Sequence, residues 1–231
     1  MNHDIVYLLK DGANEELRYS LRSVAKNFPH KNVIFVGGKP DDIEPDVFIK
    51  IEQTELTKWA NTRRNLIEAC KNPGVSDNFW LFNDDFFIMK PYKHDGREAD
   101  RTLWHHIAEI ENRHNMTMSK YTLMLRHCAK TLRDAGVNKP LNYAVHRPML
   151  INKAKALEIL NRFPSEPMFR CLYGNLTEGV TESVKDVKIT SWSTDRYEGA
   201  EIISTEDKAF REGKVGEYIR ASFFRPSPWE H

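Results

Sequence analysis

Two adjacent carboxylates beside an amide, Asn83-Asp84-Asp85, follow directly on the apolar run Phe79-Trp80-Leu81-Phe82. Carboxylates leaving a hydrophobic run are costly to desolvate unless something neutralises them. Their hard oxygens suit Mg2+ or Mn2+, so a divalent cation held by Asp84 and Asp85 is the chemistry this pattern points to. In an extended strand residues 83 and 85 share a face and 84 opposes them. All three meet one ligand only where the backbone turns. The competing reading is an Asx-type turn closing a strand.

Complementary charge lies elsewhere in the chain. Arg18 and Arg22 stand one helical turn apart. That spacing can hold a diphosphate, or equally ion pairs with Glu15 and Glu16. The run Lys58-Trp59-Ala60-Asn61-Thr62-Arg63-Arg64-Asn65 places donors at a helix start, where oxyanions are favoured. Lys58, Asn61 and Arg63 are its candidate donor-binding residues, set against an ordinary exposed first turn. His146 precedes Arg147-Pro148. It is a candidate catalytic base, with a satisfied buried histidine as the alternative. Asp207 is a second candidate, although Ser204-Thr205-Glu206-Asp207 also matches a capping box. Arg126, Lys130 and Arg133 follow at i, i+4, i+7. This stripe suits a phosphate backbone, and equally a solvated helix face. The three cysteines form no CxxC, which argues against a disulfide framework or a zinc site.

These residues need a scaffold. Ile5–Leu9, Asn32–Gly38, Val47–Ile51 and Phe79–Phe82 read as strands. Leu17, Leu21, Val24 and Phe28 give one apolar stripe on a helix from Glu15 that Pro29 closes. Asn61–Lys71 is a second helix. The alternation argues for an α/β fold with an open, mostly parallel sheet covered by helices. Such sheets bind ligands beyond the carboxyl ends of their strands. Lys10-Asp11-Gly12 and Asn83-Asp84-Asp85 fall there, which makes Asp11, Gly12 and Asn83 candidate donor contacts. A Lys-, Arg- and His-rich stretch, 90–139, reads as a helical insert covering the site. Its helices are expected over 99–112, with Leu103, Ile107 and Ile110 inward, and 118–134, with Tyr121, Leu125, Cys128 and Leu132 inward. Met149–Ile151 reads as a strand and Lys153–Arg162 as a helix. Residues 187–189 and 202–203 suggest short strands, and the tail past Arg225 an extended segment. One domain spanning 1–231 is expected.

The 231 residues carry 34 Lys+Arg against 33 Asp+Glu, a net charge of +1, which excludes binding nucleic acid by bulk basicity. A mean hydropathy of −0.60 and no long apolar run exclude a membrane span, and no leader is visible, so a cytoplasmic protein is expected. There is no GxGxxG, P-loop, HExxH or GxSxG, which argues against the enzyme classes those motifs mark.

Three blocks occur in order: Glu16-Leu17-Arg18-Tyr19-Ser20-Leu21-Arg22-Ser23-Val24, then Phe79 to Phe87, then His146-Arg147-Pro148-Met149-Leu150-Ile151. Together they resemble the Stealth family of sugar-phosphate transferases, and more closely its short phage and bacterial relatives labelled glycosyltransferases. The resemblance implies a GT-A-like fold, a nucleotide-sugar co-substrate, Asn83-Asp84-Asp85 where GT-A enzymes carry an Asp-x-Asp metal motif, and Arg18 and His146 in the donor and catalytic centre. The family's Tyr-Thr-Trp-Val-Asp-Gly opening is here Tyr7-Leu8-Leu9-Lys10-Asp11-Gly12, which keeps only the first Tyr and the final Asp and Gly. The expectation is therefore a metal-dependent glycosyltransferase with Asp85 in its catalytic centre. Its acceptor hydroxyl would sit on a hydroxymethylated base of phage DNA, contacted by Arg126, Lys130 and Arg133, or on a polysaccharide or protein. Sugar-1-phosphate transfer is an alternative, as is a metal-dependent phosphoesterase or nuclease, which would need more carboxylates.

Overall fold

The computed structural model describes residues 3–93, 97–114, 119–179, 181–191 and 197–231. The chain runs through β1 (Asp4–Leu9), α1 (Glu15–Asn27), β2 (Val33–Gly37), β3 (Val47–Lys50), α2 (Lys58–Lys71), β4 (Asn78–Phe82) and β5 (Phe86–Ile88). Then come β6 (Glu98–Ala99), α3 (Leu103–His114), α4 (Lys120–Asp134), β7 (Met149–Asn152), α5 (Lys153–Arg162) and α6 (Phe169–Leu176). It closes with β8 (Glu182–Ser183), β9 (Lys188–Ile189), β10 (Ile202–Thr205), α7 (Asp207–Glu212) and α8 (Lys214–Ser222). Two compact units result. The first holds Met1–Gly96, His146–Ile151 and Val187–His231, and the second Arg97–Val145 and Asn152–Asp186.

In the first unit five strands form one sheet in the order β3-β2-β1-β4-β7. β1 runs parallel to both β2 and β4, and β2 parallel to β3. Their near-continuous apolar runs are what a parallel sheet covered on both faces requires. The chain walks outward from β1 to β3, then returns through α2 to β4 on the other side of β1. The strand order therefore reverses between β1 and β4, the position where open α/β sheets bind ligands. Both loops singled out in the sequence, 10–12 and 83–85, leave the carboxyl ends of these two strands.

The apolar stripe of α1 packs as its spacing requires, with Leu17, Leu21 and Val24 wholly buried. Phe28, one residue past the helix, meets Trp80 and Phe82 edge-on at 5.3 and 4.9 Å and stacks on Tyr92 at 4.8 Å. Burying a ring this size stabilises the fold by about 1.5–3 kcal/mol. It fixes α1 against β4.

A smaller sheet has the order β5-β10-β9. β5 is antiparallel to β10, pairing Phe86 with Ser204, and β9 is parallel to β10, pairing Lys188 with Ser204. This register draws residues from three distant stretches into one row beside the acidic turn.

Several elements depart from expectation. α2 begins at Lys58, because Thr57 accepts the Ala60 N–H at 3.2 Å and starts the helix three residues early. α3 begins at Leu103, while Met118 lies outside the described residues. β5 was not expected, because three apolar residues behind an acidic turn carry too little pattern. α6 and α8 depart from expectation too: Gly174 lies inside α6 and Gly216 inside α8, while Gly213 separates α8 from α7. The Ser204-Thr205-Glu206-Asp207 capping box does not form. Ser204 and Thr205 belong to β10, and Glu206 caps α7 without a side-chain hydrogen bond. The tail is pinned rather than simply extended, with Trp229 buried and Glu230 bridged antiparallel to Ile43.

In the second unit α3 packs on α4 and β6 pairs in parallel with β8. Leu103, Ile107, Leu125, Cys128 and Leu132 are buried there, but Tyr121 is exposed.

Candidate active site at the strand ends

Asn83, Asp84 and Asp85 form a turn between β4 and β5, closed by the Phe86 N–H donating to the Asn83 carbonyl at 3.3 Å. Asn and Asp favour such turns because their short polar side chains satisfy nearby backbone. The strand alternation that would send Asp84 away from its neighbours therefore does not apply. The turn and the acidic site are one feature.

Each carboxylate has an assigned partner. Asp84 accepts from Asn14 Nδ2 at 2.6 Å, while the other end of the same amide caps α1 by accepting the Leu17 N–H at 2.9 Å. Asp85 is buried. Its Oδ2 is ion-paired with Lys188 Nζ and accepts from Ser204 Oγ at 2.8 Å. Lys188 also donates to the Thr205 carbonyl at 2.6 Å. Thr205 Oγ1 in turn donates to Glu16 Oε1 at 2.7 Å. The two hydroxyls of the supposed capping box thus serve two carboxylates. Beneath them Tyr7 Oη lies 2.9 Å from Ser20 Oγ, and Ser20 donates to the Phe86 carbonyl at 2.6 Å, tying α1 to the start of β5.

Among the described residues the site is short of positive charge. Burial pushes the Asp84 carboxyl up; the Asn14 hydrogen bond opposes this and the Asp85 charge adds to it. Burial likewise raises Glu16, Thr205 opposes it, and the charges of Asp85, Asp84 and Asp207 drive it to about 7. When ionised, Glu16, Asp84 and Asp85 set three negative charges against the ammonium of Lys188. A divalent cation matches the residue of that imbalance, and the donors are the hard oxygens it prefers. Among the described residues no group of three or more His, Cys, Asp or Glu is arranged to hold a metal.

The other candidates are spread more widely. Asp11 and Gly12 are exposed after β1, Gly12 with a positive φ of 108°. Gly38 lies against this loop: a Cβ there would meet the Asp11 backbone nitrogen at 2.3 Å. Arg18 lies on α1 but is paired with Asp42 and lies 4.0 Å from Glu230. Arg22 makes a two-pronged pair with Glu230 at 2.8 and 2.5 Å. Lys58 is exposed, its ammonium 5.0 Å above the Trp59 ring. Asn61 pins the loop ahead of α2 by bonding both the N–H and the carbonyl of Glu55. Arg63 is half-buried, and burial pulls its pKa down. Asn83 is exposed and His146 half-buried in the bend before β7. Asp207 opens α7 and pairs with Arg211 at 3.2 Å. In the second unit Arg126 pairs with Glu111, Lys130 pairs with Asp134 at 2.8 Å, and Arg133 lies 5.1 Å from the Trp104 ring.

Sequence reasoning missed Asn14, Lys188, Ser204 and Thr205 and gave Glu16 no role in the site. Only Asn14 left a local trace, as a helix cap ahead of Glu15-Glu16. The others are joined by strand register, which no local pattern encodes.

No protein-family model and no curated protein sequence matches the chain. Solved structures do. An active-site mutant of LgtC superposes with a TM-score of 0.50 at 10% identity, over 97% of this chain and 98% of that one. The fold is GT-A-like. The galactosyltransferase LgtC in complex with donor and acceptor sugar analogues gives 0.47 at 10% identity over 97% and 98%. The glycosyltransferase GlyE of Streptococcus pneumoniae TIGR4 gives 0.39 at 9% over 96% of this chain and 50% of its own. Among the described residues no helix is long and apolar enough to cross a membrane.

Proposed function

We propose that the chain is a nucleotide-sugar-dependent glycosyltransferase that uses Mg2+ or Mn2+. The observation that carries this reading is the under-neutralised acidic turn at the carboxyl end of β4, beside the point where the order of a GT-A-like sheet reverses. Asp84 and Asp85 would hold the cation, which supplies charge stabilisation for the departing phosphate. Asp11, Gly12 and Asn83 border the donor. Lys58, Asn61 and Arg63 lie at the start of α2, where an oxyanion is favoured. Arg18 contributes only if the diphosphate displaces Asp42 from its guanidinium. The acceptor hydroxyl attacks the anomeric carbon, the bond from that carbon to the diphosphate oxygen breaks, and a nucleoside diphosphate leaves. His146 is the assigned proton acceptor, with Asp207 next in line. The three sequence blocks favour a place among the short relatives of the Stealth family, acting in a bacterial or phage-infected cytoplasm.

The acceptor is a hydroxyl of a carbohydrate, a protein or a hydroxymethylated DNA base; the exposed ion pairs of Arg126 with Glu111 and of Lys130 with Asp134 are too weak to decide among them. The test is a panel of nucleotide sugars with Mn2+, read for the released nucleotide. Nucleoside diphosphate is expected. Nucleoside monophosphate would mean that the sugar phosphate moves, and no release from any donor would overturn the reading. Asp85→Asn should abolish release in a protein that still folds.

A further inference from the structure

Resting on the cation reading of this site, we infer that Lys188 is a positioning residue that holds Asp85 until a divalent cation arrives, and that ammonium and cation exclude one another at Asp85 Oδ2. The argument begins with Asp85 Oδ2. It takes both the Lys188 ammonium and the Ser204 hydroxyl, so its two lone-pair positions are filled. A cation reaching this oxygen must displace one of them. Ser204 is wholly buried in β10 and neutral, and nothing is gained by moving it. Lys188 ends a flexible four-carbon stem, its side chain is 26% exposed, and its other acceptor is the Thr205 carbonyl. It is the mobile partner, and it carries the charge that a cation repels.

The rest of the cluster explains why the exchange runs toward the cation. Among the described residues the Lys188 ammonium faces Asp85, Asp84 and, through Thr205, Glu16. It leaves the group under-neutralised, and a second positive charge corrects this. Without the cation, Lys188 keeps the buried Asp85 carboxylate from standing without an ionic partner.

The test uses the full-length protein and Mn2+ alone, with no sugar donor. Lysines are acetylated with an N-hydroxysuccinimide ester and followed by mass spectrometry, with exposed Lys71 as the internal reference. Mn2+ affinity is measured by calorimetry on the parent and on Lys188→Met, with Lys188→Gln as a second variant that keeps a hydrogen-bond donor. Saturating Mn2+ should speed Lys188 acetylation at least threefold and leave Lys71 unchanged. Either variant should bind Mn2+ at least tenfold more tightly than the parent. Binding by a variant and not by the parent supports the inference in its strongest form. If the parent binds Mn2+ while Lys188 reactivity stays level, or if the variants bind no more tightly, the exclusion is refuted and the cation reading survives. If neither parent nor variants bind, both fall together.

Discussion

Glu16 offers the sharpest quantitative test of the site's electrostatics. Its carboxyl is driven from 4.5 to about 7 by burial and by the neighbouring Asp85, Asp84 and Asp207, against the hydrogen bond from Thr205. A folded-state pKa above the unfolded one means that the folded protein keeps a proton the unfolded chain has lost. Stability contributed by this group is therefore present below the unfolded pKa and is lost as pH rises from 4.5 toward 7. At about 1.4 kcal/mol per pKa unit, and allowing for partial exposure, the loss is roughly 2–3 kcal/mol. Glu16→Gln removes the charge and keeps an oxygen to accept from Thr205. The variant should match the parent near pH 4 and exceed it by that amount at pH 8. For a chain of this size that corresponds to about 4–12 °C in Tm. Thermal unfolding of both proteins across pH 4–8 reads this directly. A difference that is flat with pH, or one that favours the parent at pH 8, would refute the account of a crowded, under-neutralised carboxylate cluster.

Other outcomes follow from the same geometry. Burial by itself would raise Glu230, yet hydrogen bonds from Arg22 and Ser227 hold it below the usual carboxylate range, so its contribution fades as pH falls through that lowered value. Glu230→Gln should cost about 3 kcal/mol in urea unfolding at pH 7, because it leaves the buried Arg22 charge without its partner. Gly37 has a φ of 108°, and a Cβ there would lie 2.2 Å from the Leu9 carbonyl oxygen and 2.4 Å from Asn65 Nδ2. Gly37→Ala should therefore destabilise by more than about 2 kcal/mol in the same assay. His146→Ala should lower turnover by about 100-fold or more with donor KM nearly unchanged, and equal turnover would remove His146 from the mechanism. Reversing the charge of Arg126 and Lys130 together tests the DNA acceptor: a drop of about 2 in the salt slope of DNA binding would place a phosphate backbone on α4, and an unchanged slope would remove it.

Much of the scaffold can be read from the chain itself. The stripe Leu17, Leu21, Val24 and Phe28 reports α1 because helical period and burial coincide there. The apolar runs at 5–9, 33–36 and 79–82 report strands because a sheet covered on both faces admits little polarity. The acidic turn is equally legible, since Asn and Asp beside a hydrophobic run mark both a turn and an unmet charge. What surrounds that turn is another matter. Lys188 and Thr205 lie more than a hundred residues from Asp85, in strands of two and four residues too short to show a pattern. Ser204 and Thr205 even carry a competing local signal, that of a helix cap, which β10 overrides once its register with β5 and β9 is set. Residue type and spacing determined that a carboxylate pair ends the fourth strand of a parallel sheet. Only the pairing of β5, β9 and β10 decided which ammonium and which hydroxyls meet it, because hydrogen bonds between distant strands are fixed by the packed whole and by no segment alone.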